Sequence, residues 1–101
     1  ESSPQLSHIA DFVLAHHEWF DGSGYPQGLK GEEIPQESRI LAIIDAFDVM
    51  MHEQPYKNAL EKTEAIEELK KSAGTQFDPI LVEKFIAIIK ERELVSAYSN
   101  L

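Results

Sequence analysis

Residues 36–52 read QESRILAIIDAFDVMMH. Ile40, Ile43, Ile44 and Phe47 recur at intervals of three and four, which places them on one face of an α-helix. The segment 53–56, EQPY, ends the pattern, because Pro55 disfavours helical backbone in the residue before it. The same period returns on both sides. Leu6, Ile9, Phe12 and Val13 mark a first helix, with Ser3 as N-cap, Pro4 at the first helical position and an end near His17. A third helix starts near Thr63, a good N-cap, and stops at Gly74, the residue type that tolerates the backbone past a helix end. A fourth takes Asp78 as N-cap and Pro79 at its first position, followed by Leu81, Val82, Phe85, Ile86 and Ile89. Between the first two helices, residues 19–35 contain four of the five glycines and two of the five prolines, which makes this stretch a structured loop. No segment alternates like a strand. The expected fold is all-α: a helical bundle with one long Gly/Pro loop.

Composition narrows the function. Hydrophobic residues are 43% of the 101, enough for a core, so the chain is expected to form one domain. There is no cysteine, which excludes disulfides, thiolate metal sites and a cysteine nucleophile, and which fits a reducing cytoplasm. No apolar run approaches the roughly 20 residues of a membrane span, so no membrane insertion is expected. Eighteen acidic residues against nine basic ones give a net charge of −9. That balance opposes binding to a nucleic acid polymer, although cations can still draw a small anionic substrate to an acidic chain. The start, ESSP, has neither an initiator Met nor the features of a signal peptide, so a longer parent is expected. The fourth helix is apolar around much of its circumference, from Ile80 to Ile89, and a helix of that kind requires neighbours on more than one side. Another copy of the chain, or swapped packing, is the expected cover.

Three groups of residues carry chemistry. His16, His17 and Glu18 close the first helix; adjacent imidazoles with a carboxylate are donors for iron, manganese or zinc, or else a solvated surface pair. Asp45 and Asp48 share a face of the second helix at i and i+3. They are either its wet side or, set among Ile43, Ile44, Phe47 and Val49, carboxylates whose desolvation a bound metal would offset. In the loop, Asp21 to Pro26 is either a plain turn, with Gly22 and Gly24 supplying unusual backbone angles, or a rigid mount for Tyr25 beside the metal donors.

The stretch HHEWFDGSGYP, residues 16–26, resembles the HHE-x-x-DG-x-GYP signature of the HD-GYP family. The likeness continues through Gly28-Leu29, Gly31, Ile34-Pro35, Arg39-Ile40, Asp45 to Asp48, Pro55 to Lys57, Ala59, Gly74 and Phe77 to Pro79, covering nearly the whole chain in order. The resemblance implies a hydrolase that opens cyclic di-GMP or a related cyclic dinucleotide to the linear dinucleotide or GMP, using two or three divalent metals, iron or manganese foremost. It implies metal ligation by His16, His17 and Asp45, and supporting roles for Glu18, orienting the histidines, and for Asp48, beside Asp45. Gly24, Tyr25 and Lys57 match substrate-facing positions.

Two departures bear on activity. Gln54 stands where the family commonly has Arg before Pro-Tyr, which removes a bidentate phosphate contact. None of the four histidines precedes an Asp, so the name-giving His-Asp pair is absent from residues 1–101. The resemblance therefore implies the C-terminal half of an HD-GYP domain, with activity belonging to the parent and not to this stretch alone. The alternative is a catalytically degenerate module that senses a cyclic dinucleotide or docks signalling domains, a reading that Gln54 favours. A plain helical domain without a site is the third.

Overall fold

The computed structural model describes residues 4–99, and side chains from residue 9 to residue 94. Four helices follow in order: α1 Pro4–Ala15, α2 Gln36–Met51, α3 Lys62–Lys71 and α4 Pro79–Ser99. A short 3-10 turn, Gly31–Glu33, interrupts the long loop between α1 and α2. The all-α expectation is met among the described residues. None of their helices is long and apolar enough to cross a membrane. The first cap, Ser3, lies outside the described residues.

Helix α2 is the central element, touching α1, α3 and α4. Its Ile43 joins Ile66 and Leu69 of α3, Phe77, and Val82 and Ile86 of α4 in a single buried cluster, because removing these side chains from water is the main favourable term in forming the bundle. Phe47 and Phe85 meet edge-to-face at 5.3 Å between ring centroids beside it. The α1–α2 contact includes a polar tie, in which the fully buried Ser38 hydroxyl donates to the Phe12 carbonyl at 2.9 Å.

Helix ends differ from expectation in three places. α3 ends at Lys71 with Ser72 as its C-cap, where the Ser72 amide donates to the Glu68 carbonyl, so Gly74, with φ +90, serves the following turn and not the helix end. α3 begins at Lys62 behind Glu61, not at Thr63: the Glu64 carboxylate reaches back to accept from the Glu61 amide at 3.0 Å, which fixes the cap two residues before Thr63. α1 stops at Ala15, two residues short of His17, and its last turn tightens into i→i−3 bonds from the His16 and His17 amides to Val13 and Leu14. The Asp78 cap of α4 is as expected, its carboxylate accepting from the Ile80 and Leu81 amides at 2.9 and 3.3 Å.

The apolar residues of α2 and α4 divide between two fates. Val82 and Ile86 enter the core, whereas Ile80 and Ile88 stay exposed; on α2, Ile43 is buried while Ile40 and Ile44 face outward. Ile9, Val13 and Leu14 of α1 are exposed as well.

Candidate active site

The tightened end of α1 points two imidazoles toward α2. His16 meets the Val13 carbonyl through Nδ1, which leaves Nε2 as the ring nitrogen turned toward α2. His16 Nε2 lies 3.9 Å from Asp45 Oδ2. The two imidazole centroids are 4.0 Å apart. His17 turns its ring onto Tyr25, stacked at 5.0 Å with planes 10° apart.

The Asp45 side chain is 60% exposed and that of Asp48 is 71% exposed. The sequence argument that both carboxylates suffer desolvation among apolar neighbours is thereby corrected: the helix turns Ile43 into the core and leaves the carboxylates at its wet edge. Asp48, one turn beyond Asp45, meets the histidine at the end of its own helix. It lies 3.6 Å from His52 Nδ1, which also donates to the Asp48 carbonyl at 2.7 Å.

Glu18 has a different task from the imidazole-orienting one expected of it. Its side chain is buried, at 3% exposure for the residue, and its two carboxylate oxygens accept from the Gln27 amide at 2.8 Å and the Leu29 amide at 3.0 Å. A buried carboxylate that accepts two backbone amides is a strong local tie. It holds the far limb of the loop against the start of that loop. Inside it, Asp21 Oδ1 accepts from the Ser23 amide and hydroxyl, and these bonds hold the Asp21 carboxyl below its ordinary range. Gly22 has φ +90, as a left-handed turn requires. Gly24 serves otherwise than expected: its φ is not positive, but a Cβ there would overlap the Trp19 amide nitrogen and come within 2.6 Å of the His17 carbonyl oxygen. Gly24 is needed for close approach, which lets Tyr25 fold back over His17; the Tyr25–Pro26 peptide is cis.

The loop is also docked from the other side. Phe20 donates its amide to the Gln76 carbonyl at 3.1 Å, and Asp21 donates to Thr75 at 2.9 Å. That 72–78 turn is itself held by Arg39, whose Nη1 lies 2.6 Å from the Asp78 carboxylate while its Nε donates to the Ile34 carbonyl.

The result is an open cleft of about 470 Å³, whose lining includes His16, His17, Tyr25 and Asp45. Those four come from three segments and are brought together. Lys57 is not: it sits in a separate hollow with Gln54 and His52, on the other side of Val49 and Met50, which border both spaces. Sequence reasoning missed four members of the cleft wall, Trp19, Glu68, Ser72 and Gln76. Trp19 and Gln76 adjoin motif residues, so proximity was an available signal, but nothing local marks Glu68.

The donor geometry suits a cation in part. At 3.9 Å, His16 Nε2 and Asp45 Oδ2 are too far apart for a direct hydrogen bond and close enough for two donors on one cation, given bonds of about 2.0–2.2 Å. Among the described residues, however, no group of three or more His, Cys, Asp or Glu gathers into a metal-holding set.

With this geometry in view, the class of the protein follows. The HD domain family matches residues 1–81, and the chain belongs to it. Its HHE and GYP motifs and its relatives make it an HD-GYP member. It is 42% identical to a cyclic di-GMP phosphodiesterase of Thermotoga maritima over 97 residues, 96% of this chain and 26% of that protein. It is 47% identical over 74 residues to the cyclic di-GMP phosphodiesterase response regulator RpfG of Xanthomonas campestris, 73% of this chain and 20% of that one. A crystal structure of a cyclic GMP-AMP-specific phosphodiesterase of Vibrio cholerae superposes with a TM-score of 0.73 at 32% identity, over 87% of this chain and 20% of the other. The chain thus spans about a quarter or less of these relatives' lengths.

Proposed function

We propose that the chain is the C-terminal half of an HD-GYP domain, and that the whole protein is a metal-dependent phosphodiesterase acting on a cyclic dinucleotide, cyclic di-GMP first. The carrying observation is the convergence of His16, His17, Asp45 and Tyr25 on one cleft from the end of α1, the loop and α2. His16 and Asp45 would hold one edge of a cluster of two or three divalent metals, with iron or manganese foremost and His17 completing that edge. Such metals supply Lewis-acid polarisation of a phosphoryl oxygen and a water of lowered pKa. The chain's own residues do the rest. The contact of His16 Nδ1 with the Val13 carbonyl leaves Nε2 as the nitrogen that would ligate. Tyr25, 61% exposed and braced on one face by His17, presents its hydroxyl to a phosphate oxygen. Lys57 meets a second phosphate from beyond the Val49–Met50 wall.

Among the described residues His16 and Asp45 are the donors that approach one another, with His17 beside them, too few to fix two cations with open positions for substrate. The isolated stretch should hydrolyse cyclic di-GMP no faster than buffer with manganese or iron added. In the full-length protein, His17→Ala and Asp45→Ala should each cut kcat at least about a hundredfold and lower bound metal, measured by turnover and elemental analysis. Full activity after Asp45→Ala would end this assignment.

A second reading is supported by Gln54, which leaves Lys57 as the one Lys or Arg lining its small hollow among the described residues. In that reading the module binds a cyclic dinucleotide without cleaving it and relays occupancy to signalling domains. Binding without turnover by the full-length protein would select it.

A further inference from the structure

We propose that Trp19 and Gln76 form a purine subsite in the cleft, the indole stacking on a nucleobase and the Gln76 carboxamide bonding to that base's polar edge. This rests on the phosphodiesterase reading, which puts a cyclic dinucleotide at His16, His17 and Asp45 and so requires a place for its bases. Both residues line the same cleft as those three. A tryptophan in a helical fold is ordinarily mostly buried, yet Trp19 is 38% exposed. Its backbone is anchored all the same. The Gly22 amide donates to its carbonyl at 2.8 Å, and the next amide, that of Phe20, donates to the Gln76 carbonyl at 3.1 Å. That last bond ties Phe20, the residue after Trp19, to Gln76.

Gln76 is anchored on its other side by its amide, which donates to the Ser72 carbonyl at 3.1 Å. Among the described residues no hydrogen bond engages its side-chain carboxamide. A half-buried carboxamide has one acceptor and two donor hydrogens to offer, and a purine edge presents the complementary pattern. Tyr25 is the weaker candidate for the base, because one face of its ring already lies on His17. Base-on-aromatic stacking tolerates either purine, which leaves the edge contact to discriminate.

The test uses the full-length protein with cyclic di-GMP and with a diester that has no base, methyl p-nitrophenyl phosphate. Trp19→Leu keeps an apolar side chain and removes the stacking plane; Trp19→Phe keeps the plane. Trp19→Leu should raise KM for cyclic di-GMP about tenfold, the scale of one lost base stack, with kcat within about twofold. Trp19→Phe should recover most of that loss. Gln76→Leu should raise KM several-fold. In both Trp19→Leu and Gln76→Leu, preference for cyclic di-GMP over the base-free diester should fall by the same factor as KM rises. Equal losses on the two substrates, unchanged KM, or a Trp19→Phe protein as impaired as Trp19→Leu would overturn the subsite. If the wild type turns over no cyclic dinucleotide, the phosphodiesterase reading falls by itself. The subsite is then judged by calorimetric binding of cyclic di-GMP, and it falls too if Trp19→Leu binds as the wild type does.

Discussion

Glycine at two loop positions answers two different needs. Gly31 has φ +58 and open space for 4 Å around the point a Cβ would occupy, so an added methyl group there costs only backbone strain. At Gly24 the backbone is ordinary, but the methyl group would collide with the backbone of Trp19 and His17, which cannot yield as a flexible side chain would. Gly24→Ala should therefore destabilise the protein by about 2–3 kcal/mol and Gly31→Ala by about 1 kcal/mol, compared by chemical denaturation. A larger loss at Gly31 would reverse the assignment. The presence of a glycine at residue 24 is legible in the sequence; its reason is not, since the collision involves a chain fold-back that a linear pattern does not contain. Glu18 is a similar case. As the third letter of HHE it reads as a partner of the imidazoles, and only the return of Gln27 and Leu29 reveals it as the tie of the loop.

The elements are joined to the cleft through one nearly buried ion pair. Arg39 of α2 meets Asp78 at the head of α4 and at the same time holds the end of the loop through the Ile34 carbonyl. Asp78 also caps α4. Removing one partner of such a pair leaves an uncompensated charge out of water, so Arg39→Met should cost about 3 kcal/mol. Adding Asp78→Asn in the same chain should recover part of that loss, because the neutral amide keeps an oxygen for the cap without leaving a lone charge. Thermal or chemical unfolding of the single and double variants checks this, and strictly additive losses would contradict it. The turn that leads from α3 to Asp78 carries the carbonyls that dock Phe20 and Asp21. Loosening the pair should thus also raise KM for substrate in the full-length protein. The helices themselves were legible from apolar period and caps. The early start of α3 was not, because Glu64 outcompetes the better-looking cap at Thr63 by reaching back to Glu61.

Across the molecule, apolar side chains remain outside the core on three helices: Ile9, Val13 and Leu14 on α1, Ile40 and Ile44 on α2, Ile80 and Ile88 on α4. An apolar groove bordered by Ile40, Leu81, Phe85 and Ile88 lies between α2 and α4. Exposed apolar surface of this kind favours association, while the net charge of −9 opposes it. The isolated chain should therefore self-associate more readily as salt screens that charge, and Ile88→Lys should shift it toward monomer, as followed by sedimentation. A chain that remains monomeric at high salt would show that these faces do not pair with one another.

Period, caps and the Gly/Pro loop were enough to establish the all-α class, because helical spacing and helix ends are local properties of the backbone. The HHE and GYP motifs likewise pointed to the family, since residue order and spacing survive without coordinates. Orientation needed the folded chain: which side of α2 faces water, so that Asp45 sits exposed at the cleft edge; that Lys57 lies beyond the Val49–Met50 wall; and that Gln76, distant in sequence, meets the loop at Phe20. These depend on how helices pack and how the loop folds back on itself, contacts between residues far apart along the chain that no local pattern records.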